Sequence, residues 1–451
     1  MPQFRILGTG AARPLPLFLA TAVEACFDEG FYAEEHDGEY GFRWMSGRGL
    51  LRFAPDADER YLELWVLSEF RDLSQHLIVT AGGRTHDCPL PQGWAPLSLP
   101  LPGGVDAAEL RASKIFPQAY HPADPRTLSV RIRDARLHKD PERHERIRRQ
   151  SENTRLNLEE LLAGRTALRS TPPSLGIDLH GACNVKPPCV YCEWDYSKRL
   201  EGSNAEVPFT PETLREWGEF FDNAASLVNC SIGEPFMMRN LDELLDVFGH
   251  AGKALEITTN GQILTDRNIQ KLVGRPIDLY VSLDAATPET YARLRNDTFE
   301  KILRNLRRLV EAKGGRGRLP RVHLVFMPMR CNLGELDAFV RLCAELNVDR
   351  MVLRPLNYSD SVTLDWERAG YHFQYTKELL PFETLVRASG RAARLARELG
   401  VELADQMDFG GAMRDLFREA YEEGEREIGA AAAPASATVP ASLAAAAAAA
   451  T

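Results

Sequence analysis

Two rhythms of apolar residues divide the chain. Up to about residue 140, apolar and polar positions alternate in short runs such as Tyr40-Gly41-Phe42-Arg43-Trp44, Arg60-Tyr61-Leu62-Glu63-Leu64-Trp65-Val66-Leu67, His76-Leu77-Ile78-Val79-Thr80 and Leu128-Ser129-Val130-Arg131-Ile132. Turn formers such as Ala81-Gly82-Gly83 and Pro89-Leu90-Pro91 separate them. Period-two alternation with frequent turns predicts an antiparallel β-sandwich over residues 1–140. From residue 173 to about 360 the rhythm changes to short apolar runs followed by helical stretches. The strands expected there are Leu175–His180, Ser226–Ser231, Ala254–Thr259, Ile277–Asp284, Arg321–Met327 and Arg350–Arg354. Helices start at Thr210-Pro211-Glu212 and Thr287-Pro288-Glu289, each an N-cap followed by an N1 proline. Six such units predict an α/β core, a partial parallel (β/α)6 TIM-like barrel, because each crossover returns right-handed over the sheet.

Residues 141–172 read as a charged helical linker, opening at Pro141 and running towards Leu162, with Thr171-Pro172-Pro173 as its stop. A solvated face explains its charges more simply than a phosphate grip. Residues 361–423 form a C-terminal helical extension, with an amphipathic helix over 382–400, a strand near Val401–Ala404 and a short helix at Met413–Phe417. From residue 424 to 451 the Ala-rich run has no apolar face to pack, and a disordered tail is expected.

Composition narrows the function. The 451 residues suffice for two cores, and a formal net charge of −10 argues against a nucleic-acid binder. No basic and apolar leader follows Met1 and no apolar run is long enough to span a membrane, so no membrane partner is expected. Eight cysteines in so long a chain do not suggest a disulfide framework, and a reducing cytoplasm is the expected compartment. Trp44, Trp65 and Trp94 either fill the core of the N-terminal part or form a platform for a sugar ring.

The candidate chemistry lies just after the first strand of the core. Cys183, Cys189 and Cys192 stand in a C-x5-C-x2-C loop with Tyr191 before the last cysteine. A structural zinc site normally has four protein ligands, and the sharpest zinc reading completes the set with His180. Iron–sulfur clusters are held by thiolates, and a cubane with three leaves one iron open.

The loop resembles that of the radical SAM superfamily, whose usual spacing is C-x3-C-x2-C. The departure is two extra residues, including the pair Pro187-Pro188. The resemblance covers about residues 173–360 and extends to motifs at successive strand ends, where barrel enzymes place their chemistry. Ser231-Ile232-Gly233-Glu234-Pro235 is similar to the family's Gly-Gly-Glu-Pro segment, which receives the amino group of S-adenosylmethionine (SAM); Ile232 replaces its first glycine. Thr258-Thr259-Asn260-Gly261 resembles the segment lining the cofactor, and Ser282-Leu283-Asp284 the one contacting ribose and carboxylate. Arg295 matches a residue that pairs with the SAM carboxylate, and Asn332 and Leu353 fall near the adenine.

What the resemblance implies is a [4Fe–4S] cluster on Cys183, Cys189 and Cys192, SAM on its open iron, and an electron donor such as flavodoxin or ferredoxin. The implied enzyme then abstracts hydrogen from its substrate. Cys230, at a strand end, is a candidate hydrogen donor, with inert core as its simpler reading. Cys331 and Cys343 are too few for the Cys-rich domain of many peptide-modifying relatives, so a single cluster is expected. A carbohydrate-containing or other small natural product is the preferred substrate, a ribosomal peptide the alternative, and a zinc-stabilised binding protein the non-enzyme competitor.

Overall fold

A computed structural model describes residues 23–36, 41–70, 73–91, 93–116, 125–177, 179–192, 210–229, 233–250, 254–275, 277–357, 362–407 and 416–431. The first 138 residues supply two antiparallel sheets. One runs β3 (Phe31–His36), β4 (Gly41–Met45), β11 (Arg131–His138), β6 (Arg60–Ser68) and β9 (Gly93–Leu101), with β1 (Val23–Glu24) also pairing on β11. The other runs β2 (Cys26–Phe27), β5 (Arg48–Arg52), β10 (Ala107–Ala112), β7 (His76–Ala81) and β8 (Arg84–Pro89). Alternate residues of both sheets, among them Leu62 and Leu64 of β6 and Leu77 and Val79 of β7, enter one apolar cluster. The period-two reading is the reason: it puts every second residue on one face.

Trp44 and Trp65 are both 3% exposed. Trp44 packs edge-on against Phe116 with the Arg131 guanidinium 4.6 Å from its ring. Neither indole offers a free face for a sugar; the side chain of Trp94 lies outside the described residues.

The linker is one helix, Pro141–Leu162. Asp140 caps it by accepting from the amides of Glu142 and Arg143, both at 3.0 Å. Arg148 pairs with Glu145 and Glu152 on the exposed face, where solvent screens such pairs. Arg143 is different. It is buried and forks onto Glu63 of β6, with Nε and Nη2 donating at 2.7 and 2.9 Å. Further along, Gln150 donates to the Ala224 carbonyl and Asn153 exchanges two hydrogen bonds with the backbone of Thr171.

The core sheet is parallel and has seven strands, not the six expected. They follow chain order: β12 (Ser174–Ile177), β13 (Ser226–Asn229), β14 (Ala254–Thr259), β15 (Ile277–Ser282), β16 (Arg321–Phe326), β17 (Arg350–Leu353) and β20 (Glu402–Asp405). The seventh pairs on β17 with Met351 beside Leu403. One face of the sheet, including Leu279, Leu324, Phe326 and Met351, packs under the helices. Tyr280, Val325, Val352 and Ala404 make a separate cluster on the other face, the inside of the curved sheet.

Three more departures follow. The helix expected to start at Thr210-Pro211-Glu212 is two pieces, Pro211–Trp217 and Glu219–Asn223, broken at Gly218, whose φ is +50°. Between β17 and the helix Phe382–Glu398 lies an unforeseen hairpin, β18 (Asp365–Arg368) and β19 (Tyr371–Gln374), followed by a short helix Tyr375–Glu378. Finally, the tail expected to be disordered from residue 424 starts inside a helix, Arg418–Ala431. That helix has a packing partner after all: a Cβ on Gly424 would stand 2.0 Å from the Arg387 carbonyl of helix Phe382–Glu398, a closeness only glycine permits. Residues 408–415 and 432–451 lie outside the described residues, and with them most of the short helix expected at Met413–Phe417. Among the described residues no helix is long and apolar enough to cross a membrane.

Candidate functional site

The cysteine loop leaves the end of β12 and is pinned by two of its own buried residues, Val185 at 2% exposure and Val190 at 0%. Cys183, Cys189 and Cys192 stand in no disulfide, each partly exposed. The Cys192 amide donates to the Cys189 carbonyl at 3.1 Å, forming the tight turn that the two-residue spacing allows. Burial pushes the Cys189 thiol up to about 11 against the pull of Arg295, and the sulfurs of Cys192 and Cys183 add to the rise, so the three lie within electrostatic reach of one another.

A donor set fits a cluster or a single ion differently. Among the described residues no three Cys, His, Asp or Glu side chains converge to hold one metal ion, so the zinc arrangement completed by His180 is not assembled. A cubane offers each thiolate its own iron, and its ligands stand further apart than those of one ion.

The segment after β13 is fastened to this loop. The Glu234 amide donates to the Ala182 carbonyl at 2.7 Å. A Cβ at residue 233 would sit 2.3 Å from the His180 carbonyl and 2.5 Å from that of Ala182, so only glycine lets the two backbones meet. Glu234 itself is 1% exposed. Its carboxyl accepts from the Thr259 hydroxyl and the Asn260 amide, both at 2.8 Å, and from the Phe236 amide at 3.3 Å. It therefore laces the ends of β13 and β14 together. Burial pushes its carboxyl up to about 7, and the bonds from Asn260, Thr259 and Phe236 hold it down from there. Pro235 is buried at the start of the following turn. Cys230, Ser231 and Ile232 lie outside the described residues.

Beneath the loop runs a chain of amides. Asn260 Nδ2 donates to Asn184 Oδ1 at 2.8 Å and lies 3.8 Å from Cys183 Sγ; Asn184 donates to Gln262, and Gln262 to Asn296. Asn184, Gln262 and Asn296 escaped the sequence reading, although each adjoins a residue that it singled out or follows the Asn260-Gly261 turn.

Asp284 is the second centre. It is fully buried and has a φ of +60°, a conformation rare outside glycine and costly enough to mark a constrained position. Its Oδ2 accepts from Tyr191 Oη at 2.6 Å and from Arg295 Nη2 at 2.7 Å; its Oδ1 accepts from the Met327 amide at 2.9 Å. Asn332, also fully buried, donates to the carbonyls of Asp284 and Met327. Arg295, expected to meet the SAM carboxylate, is thus engaged by Asp284, while its Nε is buried with no hydrogen-bond partner among the described residues. That donor is free to meet a carboxylate. Ser282 ends β15 on the same side as Tyr280, the inner face. Leu353 is turned the other way: its side chain packs in the cluster under the helices, because neighbouring strand residues alternate faces.

The other cysteines are placed apart. Cys88 and Cys343 belong to the N-terminal and main core clusters, respectively. Cys331, partly buried, packs against the cluster around Val190 and Phe373, and its thiol is raised by burial and by Glu378.

Comparison with known proteins adds to this geometry. Residues 177–329 match the Radical SAM superfamily. A probable GTP 3′,8-cyclase of Methanococcus aeolicus is 26% identical over 212 residues, 45% of this chain and 64% of the cyclase. An AdoMet-dependent heme synthase of Methanosarcina barkeri is 29% identical over 153 residues, 32% of this chain and 41% of the synthase. The match thus spans less than two thirds of either relative. Streptococcus suis SuiB bound to S-adenosylmethionine aligns with a TM-score of 0.44 at 17% identity, over 60% of this chain and 59% of SuiB.

Proposed function

We propose, from the premise that residues 177–329 are a radical SAM domain and the chain therefore an enzyme using a [4Fe–4S] cluster and SAM, that Cys183, Cys189 and Cys192 are the cluster's ligands. The observation that carries this is that one loop bears the three cysteines, takes the Gly233-Glu234 backbone against it and lies within reach of Arg295, whose Nε has no hydrogen-bond partner among the described residues. A cluster held there by Cys183, Cys189 and Cys192 would supply the one-electron reductive cleavage of SAM that leads to hydrogen abstraction from substrate.

The chain's own residues do the rest. Tyr191 and Arg295 hold their places through Asp284; Arg295 Nε offers a donor to the SAM carboxylate. Glu234, with Thr259 and Asn260, fixes the strand ends where the amino group is received. Asn332 holds the Asp284 and Met327 carbonyls, and Ser282 ends β15 on the inner face. With the cofactor carrying the difficult chemistry, the protein's part is orientation and exclusion of water.

For the substrate, a small natural product is our reading, with a ribosomal peptide as the competing outcome. Its support is the cysteine inventory: Cys88 and Cys343 are buried in separate cores, which leaves no second set of clustered thiols among the described residues. The burial of Trp44 and Trp65 takes two of three indoles out of the aromatic platform that favoured a carbohydrate-containing one. The two antiparallel sheets, sharing one apolar cluster, are read as a β-sandwich.

Anaerobic reconstitution with iron and sulfide, reduction, and assay for 5′-deoxyadenosine in the presence of SAM tests the reading. Formation by the full chain and its loss in Cys189→Ala is the expected result. Zinc binding in place of any cluster would overturn it.

A further inference from the structure

The two residues that lengthen the cysteine loop include a proline pair, and prolines have no N–H to donate. The added span can only accept hydrogen bonds, so whatever fixes it must bring donors from elsewhere. The hairpin β18–β19 does so. Arg368 Nη1, which carries two hydrogens, donates to the Pro188 carbonyl at 2.6 Å and to the Arg295 carbonyl at 2.8 Å. On the other side of Cys189, the Val190 amide donates to the Leu294 carbonyl at 3.0 Å. Both neighbours of Cys189 are therefore tied to the last turn of one helix, Pro288–Leu294, and one tie passes through Arg368.

The hairpin is itself firmly seated. Phe373 and Tyr375 are 0% and 1% exposed, and with Val362 and Leu364 they pack against Val190, Leu294 and Met329 in a cluster separate from the main core. The Arg368 guanidinium also lies 5.5 Å from the Trp366 ring. Held on the carbonyl of the residue that precedes Cys189, the guanidinium sets its positive charge next to that position of the loop.

We propose that Arg368 is a positioning residue for the cluster: it clamps the extended first span of the loop at Pro188 and sets a cationic charge next to Cys189 that eases cluster reduction. Charge and hydrogen bonding around cluster sulfurs tune reduction potential. The proposal rests on Cys189 being a ligand.

The test uses the full chain, reconstituted anaerobically, with iron and sulfide per chain and the cluster's midpoint potential as readouts. Arg368→Met should retain at least twofold less iron than the wild type. Arg368→Gln, which keeps an N–H donor and removes the charge, should hold its cluster at a more negative potential. Arg368→Lys, which keeps the charge, should stay close to the wild-type potential. Wild-type iron and an unchanged potential in both Arg368→Met and Arg368→Gln would overturn the proposal. Cys189→Ala, run alongside, separates the two claims: if it keeps a full cluster, the ligand assignment fails; if it loses the cluster while the Arg368 variants match the wild type, only the clamp fails.

Discussion

Tyr191 and Arg295 meet on a single atom, Asp284 Oδ2, at 2.6 and 2.7 Å. The cysteine loop and the end of helix Pro288–Leu294 are thus joined through one carboxylate oxygen at the end of β15. Removing one partner of a buried ion pair leaves the other uncompensated and costs about 3–5 kcal/mol. Asparagine tolerates a positive φ, so Asp284→Asn keeps the backbone and isolates the charge. We expect it to lower the unfolding free energy of the cluster-free chain by about 3 kcal/mol, read by urea denaturation; a loss under 1 kcal/mol would mean that Arg295 finds another partner.

At Gly233 the expected effect is on the loop rather than the whole fold. Overpacking costs about 1–3 kcal/mol, and here the added methyl meets backbone carbonyls, which cannot swing aside. Gly233→Ala should therefore reconstitute with markedly less iron while melting close to the wild type. Normal iron content would show that the loop and the Glu234 segment can part without loss.

Glu234 and His138 give opposite pH dependences in the same range. Burial raises the Glu234 carboxyl from 4.5 to about 7. The folded state then holds a proton that the unfolded chain has released, so this group's contribution to stability falls as pH rises from 4.5 to 7. The span corresponds to about 3 kcal/mol. Glu234→Gln should remove that slope, and equal slopes in variant and wild type would refute the shift.

His138 runs the other way. Burial and the Arg143 guanidinium lower its imidazole from 6.5 to about 4. Glu63 stands 3.9 Å from Nε2, but its charge is already met by Arg143. Below pH 6.5 the unfolded chain takes up a proton that the folded one refuses, so stability is lost as pH falls from 6.5 to 4, again by about 3 kcal/mol. In His138→Gln this loss should vanish, as seen by denaturation at pH 7 and pH 5. An undiminished loss would place the acid sensitivity elsewhere.

The residues legible in the sequence are those whose partners follow a local rule. The cysteine loop, Glu234, Asn260 and Asp284 each end a strand, and strand ends can be counted from the apolar rhythm. Leu353 shows the limit: its strand was found, but the face it presents depends on a register that one residue of offset reverses. Arg368 was invisible for a different reason. Its partner Pro188 lies 180 positions away, and no periodicity carries information across such a gap. The helix Arg418–Ala431 was missed because an Ala-rich composition looks unpartnered until the opposite glycine contact with helix Phe382–Glu398 is known.

The helix Pro141–Leu162 has a bearing on how the chain can be divided. Its first turn closes on Glu63 and its middle on Ala224 and Thr171. A cut at residue 140, where the apolar rhythm ends, would strand Glu63 as a lone carboxylate inside a protein interior. The natural severance point for anyone wishing to graft or delete the N-terminal sheets is therefore after the helix, and the unit so excised would carry its own counter-ion with it.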